Sequence, residues 1–463
     1  MKAIVDTHIR IPRSKSYRRE IKQLRRKLTL DNPEYINRLK LGKSTWKVAD
    51  KIEAYVLTDV ELIVPRGSVH LVKKLFPGIT FNDRRTVGTA LSEEIALPFE
   101  LREYQREAVS EMKKKQQGVV IIPCGGGKTV VAVDLIRRVR TSAIILVHTL
   151  DLLSQWKDVL KNAGVNAGQI GNGKCEVKPV TIAMVQTLFK KLNEFDREWY
   201  EQWGCLITDE VHHCPARTFQ QVVNKFPAKY RIGLSATPER EDGLTPLMYF
   251  TFGDPVYEIE RKALVKGGYL TPVSVQPIHT EFEYPYYGPA DMAAMLDELV
   301  KDGDRNAHIV AEVFGAVDAG HTCLVLTGRV EHAEYLHRKI QSLGISVAVL
   351  LGKVKKAERE KVRKNVLNGK IKAIVATTVA DEGLDIPNLS AVFFTFPGKA
   401  QARILQRAGR IMRPSPGKPD AIIYDFVDIN ITPLKRQYFQ RRKAYHQLRA
   451  TILDGYDCVH PIG

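Results

Sequence analysis

The sequence predicts an α/β protein: two tandem doubly wound parallel-sheet lobes, preceded by a small basic α+β domain. Three observations carry this. From Leu101 onward, apolar runs of four to six residues alternate with longer amphipathic stretches, the pattern of buried parallel strands joined by crossover helices. The alternation pauses around residues 278–292, where Pro285 and Pro289 interrupt a segment without periodicity, and then resumes. The charge is uneven as well. Residues 1–92 hold 20 Lys/Arg against 9 Asp/Glu, or +11 of the chain's formal +18.

The chain has 463 residues, which at roughly 100–200 residues per domain suggests two to four domains. With 44% apolar and 26% charged residues, disorder and collagen-like repeats are excluded. We divide the sequence into a basic nucleic-acid-binding domain (1–92), a nucleotide-binding lobe (93–265), a second lobe (266–430) and a basic helical tail (431–463). In the first domain the segment from Arg18 to Lys27 concentrates the charge, and Arg18, Arg19, Arg25 and Arg26 are the candidate phosphate contacts. An RNA-binding or protein-docking module is the alternative for this domain. The first lobe is expected to build its sheet from Gly118–Pro123, Ser142–His148, Val180–Val185 and Gly204–Glu210. The second is expected to use His321–Gly328, Ser346–Gly352, Ile371–Thr378, Ser390–Phe396 and Asp420–Phe426. In the tail, Lys435, Arg436, Arg441, Arg442, Lys443 and Arg449 interleave with Tyr438, Phe439 and Tyr445. Such a helix either packs its aromatics on the second lobe or contacts a nucleic-acid backbone.

A surplus of cations points to a polyanionic partner, most simply nucleic acid. The six cysteines show no paired CxxC spacing, so a reducing compartment is expected. His212, His213 and Cys214 lack a second ligand pair at zinc spacing. The first twenty residues have no signal-peptide apolar core, and no apolar run reaches the ~18–20 residues that span a bilayer. We expect a cytoplasmic, nucleoid-associated monomer with no membrane contact.

The chemistry is concentrated in three segments. Pro123-Cys124-Gly125-Gly126-Gly127-Lys128-Thr129 follows a strand and opens a helix. Gly125, Gly126 and Gly127 allow backbone N–H groups to turn inward onto phosphate oxygens, and the helix adds its positive end. Lys128 can reach the β/γ-phosphates and the Thr129 hydroxyl can ligate Mg²⁺. Ile122 stands where the phosphate-loop pattern has its leading glycine. Next, Thr208-Asp209-Glu210-Val211-His212 closes a buried strand. Asp209 can hold Mg²⁺ through water, and Glu210 can orient or deprotonate the attacking water. Adjacent carboxylates are otherwise plain surface charge. The third is Gln406–Arg413, where Arg407, Arg410 and Arg413 share one helix face. They are a solvated stripe, or arginine fingers for a γ-phosphate held by the first lobe.

These residues carry a resemblance. Over about residues 95–430 the chain resembles the superfamily 2 helicases, whose motifs occur here in order. Leu101–Val109 resembles the Q-motif, which implies Gln105 on the adenine. Gly125–Thr129 matches motif I, Leu146–Trp156 motif Ia, Thr181–Leu188 motif Ic and Asp209–His212 motif II. Ser235-Ala236-Thr237 matches motif III, Ala376–Pro387 motif V and Gln406–Arg413 motif VI. Arg240-Glu241-Asp242 is similar to the RED motif of XPB-type repair helicases, and the small basic leading domain is similar to phage UvsW-type recombination helicases. The resemblance implies two RecA-like lobes, ATP and Mg²⁺ as cofactors, and sequence-independent contact with branched or duplex DNA, with the RNA of R-loops as a further partner. It places backbone contacts on His148, Thr149, Gln186, Thr187 and Thr378. Gly383 and Asp385 would link that contact to the nucleotide. Each threonine has a helix cap as its alternative role. The implied activity is ATP-driven branch migration on forks, Holliday junctions and R-loops. An RNA helicase, or an annealing or clamp protein whose nucleotide only regulates binding, are the alternatives.

Overall fold

The computed structural model describes residues 1–213, 216–238, 240, 243–352, 356–377, 386, 388–398, 420–448 and 450–453. The chain forms two compact units, Met1–Pro123 with Gly127–Ile259, and Cys124–Gly126 with Glu260–Gly463. Among the described residues no helix is long and apolar enough to cross a membrane.

The first unit begins with a five-stranded sheet. Its strand order is Val56–Leu57, Glu61–Pro65, His8–Pro12, Lys2–Val5, Thr80–Asp83. All pairings are antiparallel except the last, which is parallel. Helices Arg18–Lys27 and Val69–Leu75 supply the other half of its core. In the first of these, Ile21 and Leu24 are buried, and Arg18, Arg19, Lys22, Arg26 and Lys27 are turned outward. The same core continues into Leu247 and Phe250 of a nucleotide-lobe helix, Thr245–Phe252. Two residues make that junction tight. A Cβ on Gly67 would lie 2.3 Å from the Gly253 nitrogen and 2.4 Å from the Tyr249 carbonyl oxygen, so only glycine lets the backbones approach. Arg66 is 1% exposed and donates to Gln117 Oε1 at 2.7 Å and to the Ala228 carbonyl at 2.7 Å. A buried guanidinium is tolerated when its donors are satisfied, and burial beside Arg231 holds the Arg66 pKa well below its ordinary value.

The rest of this unit is an eight-stranded sheet. Its order is Lys174–Glu176, Gly168–Gly171, Val180–Met184, Ala143–Val147, Cys205–Thr208, Tyr230–Ser235, Gln117–Ile121, Pro255–Glu258. Every pairing is parallel except that of the first two strands. The four expected strands are all present, with ends shifted by at most two residues. Ala143–Val147 and Cys205–Thr208 are buried throughout, as apolar strands covered on both faces must be. The register pairs Thr208 with Leu146 and Ser235 with Ile121. The residues following these strands therefore emerge at one edge of the sheet, where ligand sites of doubly wound sheets form.

The second unit holds a seven-stranded parallel sheet. The order is Val347–Leu350, Ala373–Thr377, Cys323–Thr327, Ala391–Phe394, Ala421–Asp428, Val273–Thr280, Thr451–Ile452. The five expected strands are present. Val273–Thr280 is an addition to them, and its proline explains why the pattern hides it. Pro277 lies beyond the two residues that pair with Thr451–Ile452, so among the described residues no neighbouring strand needs its missing N–H. The tail helix, Thr432–Gln447, packs on this unit. Tyr438, Arg441 and Tyr445 are buried, and both Arg441 and Tyr445 bond to Asp425, at 2.8 Å and 2.6 Å. Of the two readings of this helix, aromatic packing on the lobe is the one observed. Arg441 is an internal ion-pair partner.

Candidate nucleotide and nucleic-acid site

The phosphate loop leaves the strand Gln117–Ile121 and enters the helix Lys128–Val139. Gly125 and Gly127 both take φ of +82°, a conformation that an L side chain resists. A Cβ at Gly127 would also come within 2.5 Å of Gln105 Nε2. The Q-motif glutamine is thus packed against the loop, where its Oε1 accepts from the Arg102 N–H at 3.0 Å. Lys128 is the first helical residue and is 9% exposed. Its Nζ donates to the Ile122 carbonyl at 3.4 Å and stands 3.4 Å from Glu210 Oε1. Thr129 follows it, half-buried.

Asp209 and Glu210 continue the buried strand Cys205–Thr208 onto the same edge. Asp209 is held at both oxygens: Oδ1 accepts from the Glu210 N–H at 3.0 Å and Oδ2 from the Trp156 indole N–H at 2.8 Å. Burial and the neighbouring Glu210 charge raise the Asp209 carboxyl to about 6, against the opposing pull of Lys128 and Trp156. Glu210 adopts φ of +47°. A non-glycine residue in this region costs energy and persists where surroundings force it, commonly at functional sites. Its Oε2 lies 3.4 Å from His212 Nδ1, which contacts the Ser235 hydroxyl at 2.9 Å. Motifs II and III are thereby joined. Arg240, of the RED motif, donates to the Val211 carbonyl at 3.2 Å.

Among the described residues the carboxylates of Asp209 and Glu210 and the Lys128 ammonium are buried together here. The hard oxygen donors of Asp209 and Thr129 fit a divalent cation of the magnesium type.

The motif Ia and Ic segments follow neighbouring strands, Ala143–Val147 and Val180–Met184. Gln186 Nε2 donates to the His148 carbonyl at 2.9 Å, tying the two segments together. Thr149 caps the helix Leu150–Asn162, its Oγ1 accepting from the Leu152 N–H at 3.2 Å. The helix-cap role is therefore real, and the hydroxyl proton stays available for donation. Thr187 is half-buried and Gln186 exposed. On the basic helix, Arg18, Arg19 and Arg26 are exposed, whereas the Arg25 guanidinium lies 5.2 Å from the centre of the Tyr55 ring. Thr378, Gly383, Asp385, Arg407 and Arg410 lie outside the described residues.

Sequence reasoning missed Trp156. It is fully buried two turns into the helix that Thr149 caps, and its N–H ends on the motif II aspartate. A buried indole needs an acceptor, so the Gln155-Trp156 pair in an otherwise amphipathic helix was the available signal. Trp156→Phe keeps a ring and removes the donor. It should raise the Mg²⁺ concentration for half-maximal nucleotide binding by about 10- to 100-fold. Titrating fluorescent ADP with Mg²⁺ checks this, and binding in EDTA should be unchanged.

Two family models match the chain: "Type III restriction enzyme, res subunit" over residues 98–240 and "Helicase conserved C-terminal domain" over residues 305–415. The DNA 3′-5′ translocase XPB2 of Sulfurisphaera tokodaii is 30% identical over 351 residues, covering 68% of this chain and 79% of its own length. The chain belongs to the XPB-like superfamily 2 DNA helicases. Among solved structures, the ATP-dependent Type ISP restriction-modification enzyme LlaBIII bound to DNA covers 76% of this chain and 30% of its own, at 16% identity and a TM-score of 0.56. That likeness is one of fold. The T4 UvsW crystal structure spans 98% of this chain and 99% of its own, at 18% identity and a TM-score of 0.45, too loose to add to the argument. As an XPB-like helicase the chain has the expected RecA-like lobes, and the family uses a nucleotide as fuel.

Proposed function

We propose that this helicase is an ATP-driven translocase that moves 3′ to 5′ along one DNA strand and remodels forks, Holliday junctions and R-loops. The observation that carries it is the line of bonds from the motif Ia and Ic segments to the nucleotide site. Gln186 bonds to His148, the helix after His148 carries Trp156, and Trp156 bonds to Asp209. A strand held by the first pair is mechanically connected to the carboxylate beside the phosphate loop. The polarity is supported by the XPB-type relatives, whose names carry it.

The residues take their roles from position. The amides of Gly125, Gly126 and Gly127 receive phosphate oxygens, and Gln105, packed on Gly127, faces the base. Lys128 exchanges its contact with Glu210 for the β/γ-phosphates. Thr129 and Asp209 would hold Mg²⁺, which supplies charge neutralisation of the phosphates when bound. Glu210, released from Lys128, accepts the proton of the attacking water. Arg407 and Arg410 stabilise charge on the γ-phosphate, and Thr378, Gly383 and Asp385 report that state to the strand. The basic helix holds duplex through Arg18, Arg19 and Arg26.

ATP hydrolysis compared on fork, duplex, single-stranded DNA and RNA tests the reading, and fork DNA should stimulate most. Stimulation by RNA alone would instead make it an RNA helicase. Lys128→Ala should reduce hydrolysis roughly 10²–10³-fold and abolish junction unwinding. Unwinding that survives it would leave an annealing or clamp protein. For the basic helix, deleting residues 1–92 would bare Leu247 and Phe250, so neutralising arginines is the cleaner probe. Replacing Arg18, Arg19 and Arg26 by alanine should lower the log–log salt slope of duplex binding by about 0.9 for each phosphate that an arginine no longer neutralises.

A further inference from the structure

The first domain carries an outgrowth that the scheme above leaves without a task. A two-stranded antiparallel ribbon, Thr29–Asp31 with Lys51–Glu53, supports the helix Pro33–Lys40 and the loop 41–50 between its strands. The helix buries none of its residues. The loop is nevertheless firmly shaped. Lys43 N–H donates to the Arg38 carbonyl at 2.9 Å and Val48 N–H to the Thr45 carbonyl at 3.0 Å. The Arg38 guanidinium donates to the Ser44 carbonyl at 3.1 Å, Trp46 N–H to Ser44 Oγ at 3.2 Å, and Asn32 Nδ2 to the Ala49 carbonyl at 2.7 Å. Lys47 sits at φ of +63°.

This scaffold holds an indole in water. Trp46 is 77% exposed, while Trp156 and Trp203 are buried and Trp199 is half-buried. From Arg38 to Lys47 the sequence has four basic residues and no acid. Arg38 is paired with Glu34 at 2.7 Å. Lys40, Lys43 and Lys47 are exposed, and among the described residues no carboxylate pairs with them. Exposed Leu39 and Leu41 nearby would suit a protein partner, but three exposed lysines within six residues of Trp46 in the chain favour a polyanion with flat apolar faces. Nucleic acid has both, and single strands are bound by aromatic rings that stack on bases while cations track phosphates. A base inside a duplex has no free face, so the ring selects unpaired bases.

We propose that Trp46 stacks on an unpaired base of single-stranded or branched DNA, with Lys40, Lys43 and Lys47 on the flanking phosphates. This rests on the DNA-remodelling reading and adds a contact that distinguishes a junction from plain duplex.

The full-length protein tests it directly, because Trp46 is its most exposed tryptophan. Adding a fork with oligo-dT arms should quench the red edge of the intrinsic emission and protect it from acrylamide, whereas blunt duplex should do neither. Trp46→Ala should weaken fork binding roughly 5- to 150-fold, leave duplex binding within twofold, and leave DNA-free ATP hydrolysis unchanged. Trp46→Phe should recover most of the affinity. A fork whose arms are abasic should bind wild type as weakly as the intact fork binds Trp46→Ala. Equal losses on fork and duplex would make Trp46 a DNA contact blind to base pairing, and unaltered fork affinity in Trp46→Ala would leave a protein-docking surface; either result would overturn the stacking proposal. Neither outcome touches the helicase reading, which fails separately if no DNA stimulates ATP hydrolysis.

Discussion

Arg410→Ala is expected to slow DNA-stimulated ATP hydrolysis by roughly 10³–10⁵ while leaving ATP affinity within a few-fold. Beside the phosphate loop the Lys128 ammonium lies 3.4 Å from Glu210, and its charge also acts on Asp209. Phosphoryl transfer spreads charge over the γ-oxygens, and stabilising it requires donors that meet those oxygens in the transition state more than in the ground state. Arg407 and Arg410, three residues apart in Gln406–Arg413, match that need in number and in fork geometry. Single-turnover hydrolysis separated from equilibrium binding of fluorescent ATP checks it. An unaltered hydrolysis rate would remove Arg410 from the site, and the same pair of measurements on Arg407→Ala apportions the roles.

Glu210→Gln should cost roughly 10²–10⁴ in kcat with nucleotide binding intact or tighter. Glutamine keeps the shape and the φ of +47° but cannot accept the proton of water. It also ends the competition for Lys128, whose Nζ lies 3.4 Å from the carboxylate. Lys128 is then more available to phosphate, so affinity should rise as turnover falls. A parallel fall in affinity and turnover would show that Glu210 shapes the pocket and takes no proton. The expected product is a protein that holds ATP and DNA together, measurable as slowed release of labelled fork in the presence of ATP.

Much of this was legible in the chain itself. Ala143–Val147 and Cys205–Thr208 are buried throughout, and apolar but for Thr208, because both faces of a parallel strand are covered, so composition marks them. Gly125 and Gly127 are readable because positive φ selects for glycine. Contacts made over long sequence distances left weaker traces. Trp156 reaches Asp209 across 53 residues and Arg66 reaches the Ala228 carbonyl across 162. Neither follows from spacing, since each depends on which strands become neighbours. Val273–Thr280 was hidden by Pro277, whose tolerance depends on how short the adjoining strand is. Arg441 read as part of a basic rod because sequence cannot show that Asp425 lies beneath it.

The interior shared between the leading sheet and the helix Thr245–Phe252 has a consequence for cooperativity. Arg66 anchors the seam, and Gly67 lets main chain meet main chain. The change in composition near residue 92 therefore marks a shift in surface chemistry within a single folding unit. Heat or denaturant should melt the leading sheet and the nucleotide lobe in one transition, with matching amide-exchange protection on either side of the seam. Whatever strand or duplex the basic surface holds is then carried rigidly with the fuel-binding lobe through each cycle.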